Sequence, residues 1–96
     1  MIKISPRQIA AARELLDITQ QQLADGCGVS TVSISRIEAG ATQPHADTIR
    51  KIVRELTKRG IEFNNGTGIG VRLDYKKAAA YKAAQGDSPP VDPNLG

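Results

Sequence analysis

The sequence contains few of the residues on which enzymatic and metal chemistry usually depend. Its 96 residues include one cysteine, Cys27, and one histidine, His45. A single cysteine cannot form an internal disulfide, which agrees with a reducing compartment, and one cysteine with one distant histidine matches no metal-site spacing. Cys27 also has no basic neighbour in the sequence that would favour a thiol nucleophile. We therefore expect no enzyme, no metal and no cofactor.

Aromatic residues and long apolar runs are equally scarce. Aromatic residues make up 3% of the chain and tryptophan is absent, so Leu, Ile, Val and Ala must form the core. No run of about 18 apolar residues occurs, so no membrane span is expected. The N-terminal stretch Met1-Ile2-Lys3-Ile4-Ser5 lacks the apolar region and cleavage site of a signal peptide. The default prediction is a cytoplasmic protein with no membrane partner.

Length and charge narrow the class further. A chain of this length suits one small domain with a single core. The formal net charge is +3, and the acidic residues Asp87 and Asp92 lie in the tail, so the rest of the chain is more basic. A basic domain suits a polyanion partner, but charge alone does not identify one.

Start and stop signals predict four helices before residue 60. Ser5-Pro6-Arg7-Gln8 and Thr19-Gln20-Gln21-Gln22 each place Gln three residues after a capping Ser or Thr. A third helix starts after Ser30 and ends at Gly40, and a fourth ends at Gly60. Apolar spacing then predicts the core positions, which are Ile9, Ala12, Leu16, Leu23, Ala24, Ile34, Ile37, Ile49, Ile52, Val53 and Leu56.

Two features of these helices carry further expectations. Gly26-Cys27-Gly28 allows a tight turn with positive φ, and we expect Gly26 to shorten the second helix or to loosen its end. In the fourth helix, Glu55 is spaced for ion pairs with Lys51 and Arg59. The run of basic residues in that helix is expected to form a solvated face, with a phosphate-binding role as the alternative; these residues are Arg50, Lys51, Arg54, Lys58 and Arg59.

Beyond residue 60 the pattern changes from helix to strand. Ile61-Glu62-Phe63 and Val71-Arg72-Leu73 alternate apolar and polar residues on either side of Asn64-Asn65-Gly66-Thr67-Gly68, which predicts a β-hairpin. Residues 74–84 are rich in Ala and Lys, and the sequence leaves open whether they are helical. Residues 85–96 are rich in Gly, Pro and Asp and are predicted to be disordered.

Three short helices in succession, with a glycine turn between the second and the third, indicate a helix-turn-helix. The pattern from the second helix onward is Thr19-Gln20-x-x-Leu23-Ala24-x-x-x-Gly28-Val29-Ser30-x-x-x-Ile34-Ser35-x-Ile37-Glu38-x-Gly40, with Arg13 upstream and Pro44-x-x-x-Thr48-Ile49 downstream. These residues resemble the Cro/C1-type (XRE family) helix-turn-helix, over roughly residues 6–56. The hairpin is similar, over a shorter match, to one that ends a subgroup of such bacterial regulators.

The resemblance implies a mainly α fold: a lambda-repressor-like domain of four to five helices followed by a short β-hairpin. It implies a sequence-specific transcriptional regulator, a repressor or autoregulator, that binds a double-stranded DNA operator through the major groove. The implied base contacts come from Thr31, Val32 and Arg36. The implied contacts to the DNA backbone, or residues that fix register, are Gln20, Ser30, Ser33 and Gln43. Arg13 and Glu38 correspond to a buried ion pair between the first and third helices.

The chemistry of these residues agrees with those roles. Arg36 can donate two parallel hydrogen bonds to O6 and N7 of guanine, and Thr31 and Val32 offer methyl groups to thymine. Gln20 and Ser30 lie near helix N-termini, where backbone amides also favour phosphate. The alternative interpretation is that Thr31, Val32 and Ser33 are ordinary exposed helix residues.

Family members bind as two-fold dimers, so we expect a homodimer. The candidate interface is the hairpin, with Ile61, Phe63, Val71 and Leu73 as the buried residues. The alternative is that the hairpin covers the domain's own core, with Ile2 and Ile4 as a third strand. The expected division is therefore a helix-turn-helix domain over residues 1–60, a dimerisation hairpin over 61–73, and a largely disordered extension over 74–96.

Two other functions stay open at this point. The chain could be the antitoxin of a toxin–antitoxin pair, with a C-terminal tail that folds on a protein partner. It could also be a protein-interaction module that is derived from a helix-turn-helix and has lost DNA binding. The retained Arg36, Gln20 and net positive charge argue against the second possibility.

Overall fold

A computed structural model describes residues 3–86. Within them lie α1 (Pro6–Leu16), α2 (Gln20–Cys27), α3 (Thr31–Glu38), α4 (Ala46–Lys58), the antiparallel strands β1 (Ile61–Asn64) and β2 (Gly70–Leu73), and α5 (Tyr75–Ala84). This confirms the expected fold class, a mainly α domain with a short hairpin. None of the helices described in residues 3–86 is long and apolar enough to cross a membrane. The predictions for Ile2 and for residues 87–96 lie outside the described residues.

Side-chain caps fix where the first three helices begin. Ser5 and Thr19 each accept a hydrogen bond from a backbone amide of the following turn. Gln8 and Gln22 accept one in return from the amides of these two capping residues, so both predicted capping boxes are present. Ser30 caps α3 in the same way, without the reciprocal bond. Local sequence therefore sets the boundaries of the elements that carry the candidate site.

The apolar faces of α1 to α4 meet in one aliphatic core that also includes the first residue of β1. Its buried members are Ile9, Ala12, Leu23, Ala24, Ile34, Ile37, Ile52, Leu56 and Ile61. Leu16 and Ile49 pack against it from the edge. Burying one aliphatic side chain contributes about 1.5–3 kcal/mol, so this cluster fixes how the helices sit against one another.

The expectation that Gly26 ends or loosens α2 is wrong. The helix continues through Cys27, and Gly28 with φ 73° is its left-handed C-cap. Gly26 lies inside the helix, where an added Cβ would be 2.6 Å from Oε2 of Glu55 on α4. The second glycine therefore serves the close approach of a side chain from α4, and the turn needs only Gly28.

Glu55 of α4 is buried beside the basic residues that follow it in the sequence. Its side chain is 5% exposed, and Nε of Arg59 lies 2.7 Å from its Oε2. Nζ of Lys58 lies 3.5 Å from the other carboxylate oxygen. Within residues 3–86, Lys58 and Arg59 pair with Glu55 and Lys51 does not, because the carboxylate turns toward α2 and the last turn of α4.

The hairpin packs its apolar face on its own domain. Ile61 pairs with Leu73 and Phe63 with Val71, so these four side chains share one face. Ile61 is 1% exposed, and the other three pack against the core. Ile4 also packs on the core, but the sheet in the described part of the chain has two strands. The face therefore packs on the chain's own core, and Ile4 adds no strand to the sheet.

Residues 75–84, which the sequence left open, form α5. Asp74 caps the helix by accepting a hydrogen bond from the backbone N–H of Lys77 at 2.9 Å. None of its side chains is buried, which explains why its apolar pattern was too weak to decide. The expected disorder of the C-terminal extension therefore does not apply to these ten residues.

Candidate nucleic-acid interface

The helices α2 and α3 pack side by side, and their inner faces are buried in the core. Leu23 and Ala24 of α2 and Ile34 and Ile37 of α3 are buried in the core. The short connection after Gly28 holds the two helices at one angle, since Ser30 at once caps α3. The opposite face of α3 is left for contact with another molecule.

The outward face of α3 carries the three side chains predicted to contact bases. Val32 is 62% exposed, so its methyl groups are accessible. Arg36 is exposed, and no described carboxylate forms an ion pair with it. The Thr31 hydroxyl donates to Oε1 of Gln21 at 2.5 Å, so its methyl group is the part left for a partner.

The side chains predicted to contact the DNA backbone lie around the ends of α2 and α3. The Ser30 and Ser33 hydroxyls are 2.9 Å apart at the N-terminus of α3. Gln20 is the first residue of α2, and Gln43 lies exposed in the loop between α3 and α4. The structure thus places Gln20 and Ser30 at helix N-termini, where backbone N–H groups attract anions.

Arg13 and Glu38 form a two-point ion pair between α1 and α3. Nε and Nη2 of Arg13 lie 2.9 and 3.1 Å from the two carboxylate oxygens of Glu38. The side chains are 16% and 7% exposed. Arg13 also donates from Nη1 to the carbonyl of Ile18, and the hydrogen bond with Glu38 raises the pKa of Arg13. The pair therefore fixes the C-terminal end of α1, the loop that follows it, and the end of α3.

Gln20 joins this pair, a contact that the sequence did not indicate. Its Nε2 donates to Oε1 of Glu38 at 3.2 Å. The two residues are 18 positions apart, so no local spacing signals the contact. The hydrogen bond orients the Gln20 amide at the start of α2, next to the face that α3 presents.

The described residues give no support to a catalytic or metal site. Burial, with a smaller contribution from the Glu55 carboxylate, raises the pKa of the Cys27 thiol to about 11, so the thiol stays protonated near neutral pH. Residues 3–86 hold no cluster of three or more His, Cys, Asp or Glu that could bind a metal ion.

Sequence reasoning missed a groove of about 940 Å³ beside the α3–α4 loop. Most of its lining residues come from the N-terminal segment, the loop, α4 and β1, and they include Ile4, Pro44, Ile49, Val53 and Phe63; α1, α3 and α5 contribute the rest. No single segment shows this feature, because distant parts of the chain contribute to it. Gln43 lies at its rim, so the groove borders the candidate interface.

Comparison with known families agrees with this geometry. A family model described as Helix-turn-helix matches residues 9–62, which is more than half of the chain. The match begins in α1, includes α2, α3 and α4, and ends in β1. A comparison with curated proteins found no match.

Proposed function

The chain belongs to the helix-turn-helix family of DNA-binding regulators, and on that basis we propose that it represses transcription, including that of its own operon, by binding an operator in double-stranded DNA. The observation that carries the proposal is the accessible outward face of α3, with Val32 and Arg36 exposed on a helix whose inner face is buried. A helix held in this way can enter the major groove as a rigid body.

Arg36 is the proposed source of base specificity. An arginine without a protein carboxylate partner can present two parallel donors to guanine. Thr31 and Val32 at the start of α3 supply methyl groups for thymine. Gln20, Ser30, Ser33 and Gln43 contact phosphates and so set the position of α3 in the groove.

The test is selection of a duplex from a random pool with the full-length chain, followed by binding of that duplex. Arg36→Ala should cost about 1–3 kcal/mol at one base pair and relax the preference there. Arg36→Lys is the matched control, because it keeps the charge but loses the paired donors. It should keep the salt dependence and lose the preference. Failure of the wild-type chain to enrich any duplex above non-specific binding would refute the proposed function.

We further propose that the chain binds its operator as a homodimer, because one recognition helix covers only a few base pairs. The apolar face of the hairpin packs on its own core, so the edge of β1 is the part available for pairing. The Asp74 N–H donates to the Gly60 carbonyl, so these two residues form a hydrogen-bonded pair. Such pairs alternate along an antiparallel ladder, so Glu62 and Asn64 are the residues of β1 that bond to β2. The backbone groups of Ile61 and Phe63 therefore point away from β2, toward the groove.

Two copies of β1 that pair antiparallel along this edge would also cover the groove. Ile49 and Val53 line it next to the strand, so the pairing would bury apolar surface as well as backbone groups. In this proposal residues 1–60 contact DNA and residues 61–73 supply the dimer contact.

Sedimentation of the full-length chain at micromolar concentration tests the dimer. Val53→Glu places a charge in the groove and should give a monomer with much weaker operator binding. Ile69→Glu is the control, because Ile69 is 58% exposed outside the groove. A wild-type monomer both free and on a palindromic operator rules the dimer out.

A second candidate function, antitoxin activity, is favoured by one observation on α5. This helix buries none of its side chains, and Tyr75 is 83% exposed. Such a helix offers an apolar ring to a protein partner without disturbing the core. Co-purification with a partner that is toxic when expressed alone would establish this function.

A further inference from the structure

A line of side-chain contacts runs from α2 to α5 through α4. The Glu55 carboxylate lies against Gly26 of α2, where no Cβ would fit. Arg59 holds that carboxylate at 2.7 Å. The guanidinium of Arg59 lies 5.1 Å from the centre of the Tyr81 ring on α5. We call these four residues the Glu55 cluster.

The backbone of α5 is held independently at the same place. Gly60 has φ 113°, and a Cβ there would lie 2.8 Å from the backbone nitrogen of Ala78. The Asp74 N–H donates to the carbonyl of Gly60 at 2.8 Å. Gly60 directly follows Arg59, and Ala78 lies in the same helix as Tyr81. The close approach of the Gly60 and Ala78 backbones therefore sets the position of the Tyr81 ring relative to the Arg59 guanidinium.

We propose that α5 helps to position the DNA-binding helices through the Glu55 cluster. In this cluster Glu55, Arg59 and Tyr81 are positioning residues that set the placement of α2. None of the three lies on the outward face of α3. Their effect reaches DNA through α2, whose first residue, Gln20, is bonded to Glu38. The inference rests on the proposed function and extends it to a helix that lies beyond the family match.

The Glu55–Arg59 ion pair can position α2 because it is largely shielded from water. The Arg59 side chain is 18% exposed and Glu55 5%, so their attraction is little weakened by solvent. The Tyr81 ring attracts the guanidinium and covers one side of it. Removal of the ring admits water to Arg59, loosens its hold on the carboxylate, and frees Glu55 to move from Gly26. The eight-residue α2 then loses the side chain that packs against Gly26, and displacements of about 0.5 Å are enough to weaken a preorganised site.

The experiment compares three variants of the full-length chain on the duplex that the wild type selects. Tyr81→Ala should weaken binding about three- to tenfold, as expected from loss of a partly shielded cation–π contact. Tyr81→Phe keeps the ring and should bind like the wild type. Tyr75→Ala removes the exposed tyrosine of the same helix and should also bind like the wild type. Circular dichroism at the binding temperature establishes that each variant is folded.

Cys27 provides a second readout that does not depend on DNA. It follows Gly26 directly, and its half-buried thiol should react with a chromogenic disulfide reagent faster in Tyr81→Ala than in wild type. Tyr81→Phe and Tyr75→Ala should keep the wild-type rate.

Each other result overturns the inference. It is wrong if Tyr81→Ala binds like the wild type, if Tyr75→Ala weakens binding as much, or if Tyr81→Phe behaves like Tyr81→Ala. If the wild-type chain selects no duplex, the proposed function fails. The Cys27 rates then still decide whether α5 is coupled to α2.

Discussion

Replacing Gly26 with alanine tests the closest contact between α2 and α4. Within a helix this change normally stabilises a protein by about 1 kcal/mol, and Gly26 is not among the glycines with positive φ. Here the new methyl group would lie 2.6 Å from Oε2 and 2.8 Å from Cδ of Glu55. The carboxylate must therefore leave its position, although it is 5% exposed and bonded to Arg59.

The size of the effect follows from these opposing terms. Removing one partner of a buried ion pair costs about 3–5 kcal/mol. In this variant both partners remain and regain some solvent, so we expect about half of that cost. After the gain in helix propensity, Gly26→Ala should lower the free energy of unfolding by about 0.5–1.5 kcal/mol.

A double-mutant cycle isolates the contact between Gly26 and Glu55. In a Glu55→Ala background the obstruction is gone, so Gly26→Ala should instead stabilise the protein by about 1 kcal/mol. Urea unfolding at constant slope gives all four free energies, and each 1 kcal/mol corresponds to about 4–8 °C in Tm for a chain of this size. Ser35→Ala, an exposed change on α3, should have little effect in either background. A Gly26→Ala effect with the same sign and size in both backgrounds would refute the contact.

Three further predictions concern the interface and the hairpin. Arg13→Ala or Glu38→Ala should each lower the free energy of unfolding by about 3–5 kcal/mol, whereas replacing both residues by apolar ones should lower it by far less. The prediction is contradicted if urea unfolding gives the same cost for the double replacement as for either single change. Gln20→Ala should weaken binding of many duplexes to a similar degree, and a change confined to one base pair would show instead that Gln20 contacts that base. The hydrogen bonds from Lys77 and Arg72 lower the pKa of Glu62 from its ordinary value of 4.5. Their stabilisation is therefore complete above that value and is lost as pH falls through the lower, folded pKa. Tm measured between pH 2 and 7 should show this loss, and Lys77→Ala should reduce it.

Local signals in the sequence were enough to predict α1 to α4 and the hairpin. Ser5, Thr19 and Ser30 mark helix starts through bonds within three residues, and Gly40 marks an end in the same way. The apolar spacing of Ile34 and Ile37 fixed which face of α3 is buried, and so which face is available for a partner. Whether Thr31, Val32 and Arg36 contact bases stays a prediction, since the structure contains no DNA.

Apart from the Arg13–Glu38 pair, which the family resemblance implied, contacts between distant residues could not be predicted from the sequence. Gly26 was interpreted as a helix breaker because its partner, Glu55, lies 29 positions later and leaves no local trace. The helix α5 was left open because nothing in its own pattern points to a core, and it is held instead by the backbone of Gly60. The groove has the same origin, since its walls come from segments that are far apart in the sequence.

The buried Gln8 has a consequence for how the protein is made. Its Nε2 donates to the carbonyls of Asn64 and Gly70, which lie 56 and 62 positions further along the chain. The side chain is 2% exposed, so α1 cannot complete its packing until both residues have left the ribosome. At about 5–20 residues per second, translation from residue 40 to residue 70 takes roughly two to six seconds. During that interval the nascent chain carries all of α2 and α3 without the hairpin that packs against α1. A product that terminates before β2 therefore contains the whole helix-turn-helix sequence but leaves the buried Gln8 amide without the acceptor that Gly70 supplies.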